Sequence, residues 1–501
     1  MSIRQNVIAN YAGKGYSTLI GILLVPLYVE YMGVEAYGLV GFYTMLQGMF
    51  LLLDIGLTPT IGRETARFNG GAIDALDLRR LLRAFEGIFL VLGAAGALAL
   101  FTTAGFVADH WLKVQHLDLS EVRRSIMLIA LTVALRWICG LYRGAISGFE
   151  RIVWLSVFNV VIATLRFVLV IPFLIYAGAT PTYFFAFQLV VAMLEVLVLV
   201  SKTYRLLPPV SVHGWIRWQW QPVRRVARFA LSGAFATLSW VLVTQTDKFI
   251  LSGLIPLIDY GYFTLAVLVA SGISVLSSPI TAAILPRLTK LSAQGDEAGL
   301  VRLYRDATQM VAVVAVPVVL VLAFFPVQVL IAWTGKPEVA QFAAPVLTLY
   351  AVGNGILALA AFPYYLQVAR GDLNLHMISN LLFILVFVPL LMVAVTRFGI
   401  IGAGYAWIVA NLIPFLIWLP VVHGRFLKGF HVSWLSRDVG AIVIVPTIVA
   451  LLLLWLIDWP PSRPWRLTVL VLVYASLVVF AAISSSTIRA RLRTRAGPTM
   501  T

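Results

Sequence analysis

The chain has a single cysteine, Cys139, so it forms no internal disulfide. Its six histidines are scattered and show no metal-ligand spacing. No G-x-x-x-x-G-K-[ST] stretch is present, which excludes a P-loop ATPase. Charge is scarce at 12% of residues, against about 25% in soluble domains. Acids are scarcer than bases, 21 against 37, for a net charge of +16. Long polar connections are lacking too. The longest run over 204–225 and 108–124, too short for a separate catalytic domain, so no catalytic residues are assigned. The basic residues sit in short clusters between apolar runs, which argues against a nucleic-acid surface.

Apolar sequence is what the chain has in excess: 61% of 501 residues, with a mean hydropathy of +0.95. A spanning helix needs about 20 mostly apolar residues. The runs predict an all-α polytopic membrane protein with about fourteen transmembrane helices. They fall at 7–30, 37–62, 84–107, 125–147, 152–176 and 180–203, then at 226–254, 261–285, 307–333, 342–369, 376–396, 401–424, 438–457 and 465–484. The first run is longer than a signal-peptide core and lacks a cleavage pattern, so it reads as a span.

Placing the N-terminus inside and alternating leaves 26 of the 37 Lys and Arg in inside segments and seven outside. That asymmetry predicts cytoplasmic termini. The connection 204–225 contains His213-Gly214-Trp215-Ile216-Arg217-Trp218-Gln219-Trp220, which reads as an interfacial amphipathic segment against anionic lipid.

Beyond those 33 and away from the cytoplasmic ends of the spans, four cations remain: Lys14, Arg136, Arg166 and Lys248. A cation in hydrocarbon costs about 2.5–3.5 kcal/mol on insertion scales, so each needs a partner, a wet cavity or an anionic cargo. Arg136 and Arg143 are seven apart on the fourth span, as are Asn159 and Arg166 on the fifth. Each pair shares nearly one helix face. With Lys14 and Asn10 on the first span they predict a cationic groove in the first lobe. Asp247 and Lys248 are adjacent, so they should face different partners. Asp54, Glu195 and Asp247 are candidates for coupling to protons or cations, or for structural ion pairs; for Asp54 that pairing would be to the Arg63 or Arg67 region, and Glu86 reads as structural. Prolines interrupt many spans: Pro26, Pro172, Pro279, Pro317, Pro363, Pro389, Pro414 and Pro446.

The connection 204–225 divides the spans into six and eight. The halves echo each other: Tyr31-Met32-Gly33-Val34-Glu35-Ala36-Tyr37-Gly38 follows the first span and Leu254-Ile255-Pro256-Leu257-Ile258-Asp259-Tyr260-Gly261 the seventh. Each is expected to place an acid and Tyr-Gly in an outside turn. Both repeats begin inside, which predicts parallel repeats with a path between them.

Asn6 to Arg67, with Pro26-Leu27-Tyr28, Gly33, Tyr37-Gly38, Leu53-Asp54-Ile55-Gly56-Leu57 and Arg63, resembles the start of the Wzx-type lipid-linked oligosaccharide flippases of the MOP (MATE-like) superfamily. Asp247-Lys248, Tyr260-Gly261-Tyr262 and Leu285-Pro286-Arg287 agree in the second half. The resemblance implies a MATE-like fold: a six-helix lobe over 1–203, a cytoplasmic linker over 204–225, a second six-helix lobe over 226–430, and two extra helices with a basic tail over 431–501. It implies translocation of undecaprenyl-diphosphate-linked oligosaccharide across the bacterial inner membrane for O-antigen or exopolysaccharide synthesis. The diphosphate would meet Lys14, Arg136, Arg143, Asn159, Arg166 and Lys248. No cofactor or metal is expected, and transport would draw on a proton or sodium gradient, the membrane potential or cargo supply. Expected partners are the lipid-linked oligosaccharide, membrane lipids, a polysaccharide polymerase and glycosyltransferases. An ion-coupled multidrug exporter of the same superfamily and a peptidoglycan lipid II flippase are the alternatives. An O-antigen polymerase would need a large outside loop, which is missing. Buried acids would suit the exporter's cationic cargo, and buried bases favour an anionic one.

Overall fold

A computed structural model describes residues 3–209 and 218–495. Among the described residues no strand forms beyond one isolated bridge between Lys113 and Pro256. This is what a hydrocarbon solvent demands, because helices satisfy their backbone groups internally. Among the described residues twelve segments are long and apolar enough to cross a membrane. One of them, Asn374–Phe426, runs for 53 residues, the length of two spans. Gly399 breaks it with φ 58° and ψ −143°, between the predicted spans 376–396 and 401–424. The 34-residue helix Gln221–Leu254 is longer than a bilayer requires but is not among these twelve, so the fourteen spans read from the sequence stand as an approximate count. The protein is a multi-pass membrane protein.

The chain forms two compact units, Met1–Gly261 and Tyr262–Thr501. The first contains α1 (Ile3–Leu23), α2 (Val25–Met32), α3 (Val34–Phe50), α4 (Leu57–Asn69), α5 (Ala75–Thr102), α6 (Leu119–Gly148), α7 (Ile152–Ala163), α8 (Val170–Ala177), α9 (Pro181–Leu206) and α10 (Gln221–Leu254). By packing, α10 therefore groups with the first six spans. Of the Trp-rich stretch, 213–217 lies outside the described residues; Trp218 donates to the Ala84 carbonyl at 3.1 Å.

Helix α6 is the centre of the first unit, packed against α3, α4, α5 and α9. Gly140, Gly144 and Gly148 recur every four residues along it and bring it against Thr58, Ile61 and Thr65 of α4. Small residues at this spacing let backbones approach closely in lipid. The predicted span 37–62 is interrupted at Leu51–Asp54, a 3-10 turn, followed by Ile55 and Gly56 in the left-handed region. Gly56 is required there twice over, by its φ of 75° and by the Ala230 carbonyl that a Cβ would strike. Asp54 then accepts from Thr58 N at 3.0 Å and Thr58 Oγ1 at 2.9 Å, capping α4. The expected link from Asp54 to Arg63 or Arg67 is replaced, since both arginines pair with buried Glu64.

The two Tyr-Gly motifs are not in turns. Tyr37-Gly38 lies in α3, and Tyr260-Gly261 lies in α11 (Leu257–Ala293). The turns fall earlier, at Gly33 with φ 86° and at Ile255. Both tyrosines are buried, so the motif's aromatic is a packing residue on a helix.

The second unit continues through α12 (Glu297–Phe324), α13 (Pro326–Thr334), α14 (Pro337–Arg370), α15 (Asn374–Ile413), α16 (Leu419–Phe426), α17 (Ala441–Leu456), α18 (Arg463–Ser484) and α19 (Ser486–Arg495). Its core includes Trp407 stacked on Tyr350, with the indole N–H donating to Asn354. Helix α12 tolerates Pro317 and α14 tolerates Pro345 and Pro363, as buried neighbours in a bundle can re-satisfy freed backbone groups.

Candidate functional site

The first unit holds a cavity of about 350 Å³ between α1, the end of α6, and α7 with its continuation. Lys14, Arg143 and Arg166 line it, with Asn10, Ser156 and Asn159. No acid lines it. Three cations from three helices thus face one space; of the groove residues expected from the sequence, Arg136 is not among its lining.

Arg166 is carried by a π-turn, Thr164–Val168, between α7 and α8. A π-turn inserts one residue and leaves backbone groups needing partners. Here the partners are side chains. Gln188 donates to the Arg166 carbonyl at 2.9 Å, and Tyr28 donates to the Phe167 carbonyl at 2.6 Å. The Arg166 Nε in turn faces Gln188 Oε1 at 3.4 Å, and its guanidinium lies 5.1 Å from the Phe167 ring centroid. Tyr16 and Thr164 hydroxyls bond at 2.8 Å, fixing α1 beside the π-turn. The arginine is therefore held from its backbone and its side chain together. Lys14 makes no hydrogen bond or ion pair among the described residues.

Arg143 bridges the cavity and the interior. One face bonds Asn159 Oδ1, and Nη2 bonds Glu195 Oε1 at 2.5 Å. Arg136 lies one heptad deeper on α6 and does not line the cavity. Its side chain is 8% exposed and pairs with Glu195 Oε2 at 3.7 Å. Glu195, from α9, is thus shared by two arginines. Sequence spacing identified the arginine face; the acid that joins it comes from another helix and carried no local signal of pairing.

The remaining candidates are elsewhere. Lys248 is not a lining residue of this cavity. It lies 3.8 Å from Asp247 Oδ1 and bonds the Thr244 carbonyl, so the two adjacent side chains do reach each other, because the long lysine stem bends back along its helix. Asp247 also accepts from the Lys248 backbone N–H at 2.8 Å. Asp54 serves as a helix cap. Glu86 is held by Arg83, Tyr142 and Tyr204 at about 3 Å. Among the described residues no group of three or more His, Cys, Asp or Glu is placed to hold a metal ion.

Residues 3–292 match the model of a family described as "Polysaccharide biosynthesis protein". A Shigella flexneri protein named "Putative O-antigen transporter" is 21% identical over 429 residues, covering 84% of this chain and 98% of that one. Among solved structures, a lipid II flippase (MurJ) in an inward closed conformation superposes with a TM-score of 0.72 at 14% identity, covering 95% of this chain and 98% of that one. An inward-facing multidrug resistance MATE family transporter of the MOP superfamily gives 0.66 at 15% identity, covering 81% and 94%. At these identities the structural likenesses speak for the fold.

Proposed function

The chain belongs to the polysaccharide biosynthesis protein family, and on that premise we propose that it is a flippase for undecaprenyl-diphosphate-linked oligosaccharide, moving it from the cytoplasmic to the periplasmic leaflet of a bacterial inner membrane by alternating access. The observation that carries the reading is the acid-free cavity where Lys14, Arg143 and Arg166 converge. Cations in a site of low dielectric are costly unless an anion joins them. A diphosphate supplies that anion, and the two arginines offer planar donor forks that suit phosphate oxygens. The volume of about 350 Å³ is at the small end for ligand sites, which suits the headgroup while the prenyl chain stays in lipid.

The same polarity disfavours a carrier of cationic drugs. Such cargo calls for unpaired carboxylates, and the acid nearest these cations, Glu195, is already bonded to arginine. Glycosyltransferases would make the cargo and a polymerase would consume it, while a proton or sodium gradient or the membrane potential would supply direction.

The test is complementation of a bacterium lacking its own flippase. Arg166→Ala and Lys14→Ala should each abolish surface polysaccharide while leaving the amount of protein in the membrane unchanged. Full polysaccharide with both variants would overturn the assignment of this cavity to the cargo.

A further inference from the structure

Glu195 holds the two arginines unequally. Its Oε1 lies 2.5 Å from Arg143 Nη2, while its Oε2 stands 3.7 Å from Arg136 Nη2, beyond hydrogen-bond range. The consequence is a set of orphans in a buried place: Glu195 Oε2, Arg136 Nε and Arg136 Nη2 have no hydrogen-bond partner among the described residues. The Glu195 side chain is 4% exposed and that of Arg136 8%. Buried polar atoms left unmade are expensive, yet the groups that would satisfy one another are about 1 Å too far apart for a charge-assisted bond. Arg143 also belongs to the cavity, where its other amino group meets Asn159. Only Arg143 of the pair touches both the carboxylate and the cavity.

We propose that Glu195 is a resident counter-ion: it neutralises Arg143 when no cargo is bound, and the cargo's phosphate displaces it from Arg143 onto Arg136. This inference rests on the reading that the cavity receives a phosphate headgroup. A phosphate bonded to Arg143 competes with the carboxylate for the same N–H donors. The displaced carboxylate closes the gap to Arg136, whose N–H groups then gain their missing acceptor, so the buried carboxylate keeps an arginine partner at either stage. When cargo departs, Glu195 returns to Arg143. The carboxylate thereby weakens the grip on an anion that three cations would otherwise hold too tightly to release, which a carrier must avoid. Glu195 and Arg136 act through Arg143 and are positioning residues.

The test measures binding of farnesyl diphosphate to the purified full-length protein in detergent. Glu195→Gln, which keeps the shape and removes the charge, should bind about tenfold tighter, the worth of one hydrogen bond to a charged group. It should also deliver less surface polysaccharide, because release slows. Arg136→Gln removes the carboxylate's second berth and should bind several-fold weaker. A purely structural role would move both variants in the same direction. Unchanged or weaker binding by Glu195→Gln, or tighter binding by Arg136→Gln, overturns the inference. Should Glu195→Gln fail to fold, Glu195→Asp, whose shorter side chain draws the carboxylate back from Arg143, takes its place and should likewise bind tighter; unchanged or weaker binding by it overturns the inference. Binding that is lost in Arg166→Ala but unaltered in both charge variants would overturn the counter-ion and leave the flippase reading standing. No saturable binding by the wild type would overturn both.

Discussion

Gly38 and Gly261 pack in a reciprocal pair: the Leu257 carbonyl lies where a Cβ on Gly38 would go, and the Val34 carbonyl lies where a Cβ on Gly261 would go. In the sequence repeat, Val34 aligns with Leu257 and Gly38 with Gly261. Each motif therefore supplies a glycine to the other's first helical turn. Both glycines sit in ordinary helical backbone, so what they provide is space for the partner's backbone.

Gly38→Ala and Gly261→Ala should each destabilise the protein by about 1–3 kcal/mol, the range for overpacking a rigid contact. The thermal unfolding midpoint of the purified protein in detergent checks this. The double variant should cost less than the sum, because one displacement of the crossing relieves both clashes. Additive losses would mean that the two contacts yield independently.

A buried carboxylate beside this crossing governs a loop. Glu35 is 5% exposed and accepts the backbone N–H groups of Gln115, His116 and Leu117 at 2.6, 2.9 and 3.1 Å. Three successive N–H groups on one carboxylate form a tight clamp. The same loop reaches α10 and its end: Trp111 donates to Ser252 at 2.9 Å and Lys113 to the Leu254 carbonyl at 2.6 Å. Glu35→Gln replaces one acceptor oxygen with a donor that faces donors. It should cost about 1–3 kcal/mol and speed hydrogen exchange at residues 115–117 before it affects the rest of the unit. Unchanged exchange there would show that the clamp is dispensable.

Gly399 supports a different expectation. Its φ of 58° with ψ of −143° lies in a region that only glycine occupies readily. Here glycine is needed for conformation, since nothing lies within 4 Å of a Cβ built on it. Gly399→Ala should therefore destabilise the second unit by about 1–3 kcal/mol, read as a lower thermal midpoint. Were the midpoint unchanged, the reversal between the two spans of Asn374–Phe426 would not depend on this conformation.

The spans and the cationic face were legible because their causes are local. Twenty apolar residues announce a span wherever they occur, and Arg136 with Arg143, or Asn159 with Arg166, share a face by helical geometry alone. Lys14 was legible as an energetic anomaly. The π-turn beneath Arg166 was not, because Gln188 and Tyr28, which complete it, come from other helices. Glu195 was visible as a buried acid but not as the partner of two arginines. The Tyr-Gly motifs read as turns because each follows one apolar run and precedes the next. In the structure the glycine answers to a neighbouring backbone, which one-dimensional pattern does not contain. Leu53 to Leu57 shows the opposite case: its Asp and Gly do mark a break, with Asp54 as the cap and Gly56 in the left-handed region.

The second unit contains a buried charge of its own, absent from the candidates that sequence suggested. Asp438 is 2% exposed and accepts from Arg305 Nε at 2.9 Å and from Gln309 Nε2 at 2.6 Å. Arg305 also donates to Ser433 at 3.0 Å, and Gln309 Oε1 accepts from Ser485 at 2.6 Å and from the Thr487 N–H at 3.0 Å. One face of α12 thus ties down the entry to α17 and the start of α19. Arg305→Ala strands the Asp438 carboxylate and should cost about 1–3 kcal/mol, toward the lower end because Arg305 is 31% exposed and water partly screens the pair. Asp438→Asn leaves Arg305 able to reach solvent and should cost less. The double variant Arg305→Met with Asp438→Leu should recover part of the loss, since an apolar pair of similar volume removes the desolvation penalty as well as the attraction. A double-mutant cycle in thermal unfolding measures the coupling, and a coupling near zero would show that the pair contributes no more than its packing.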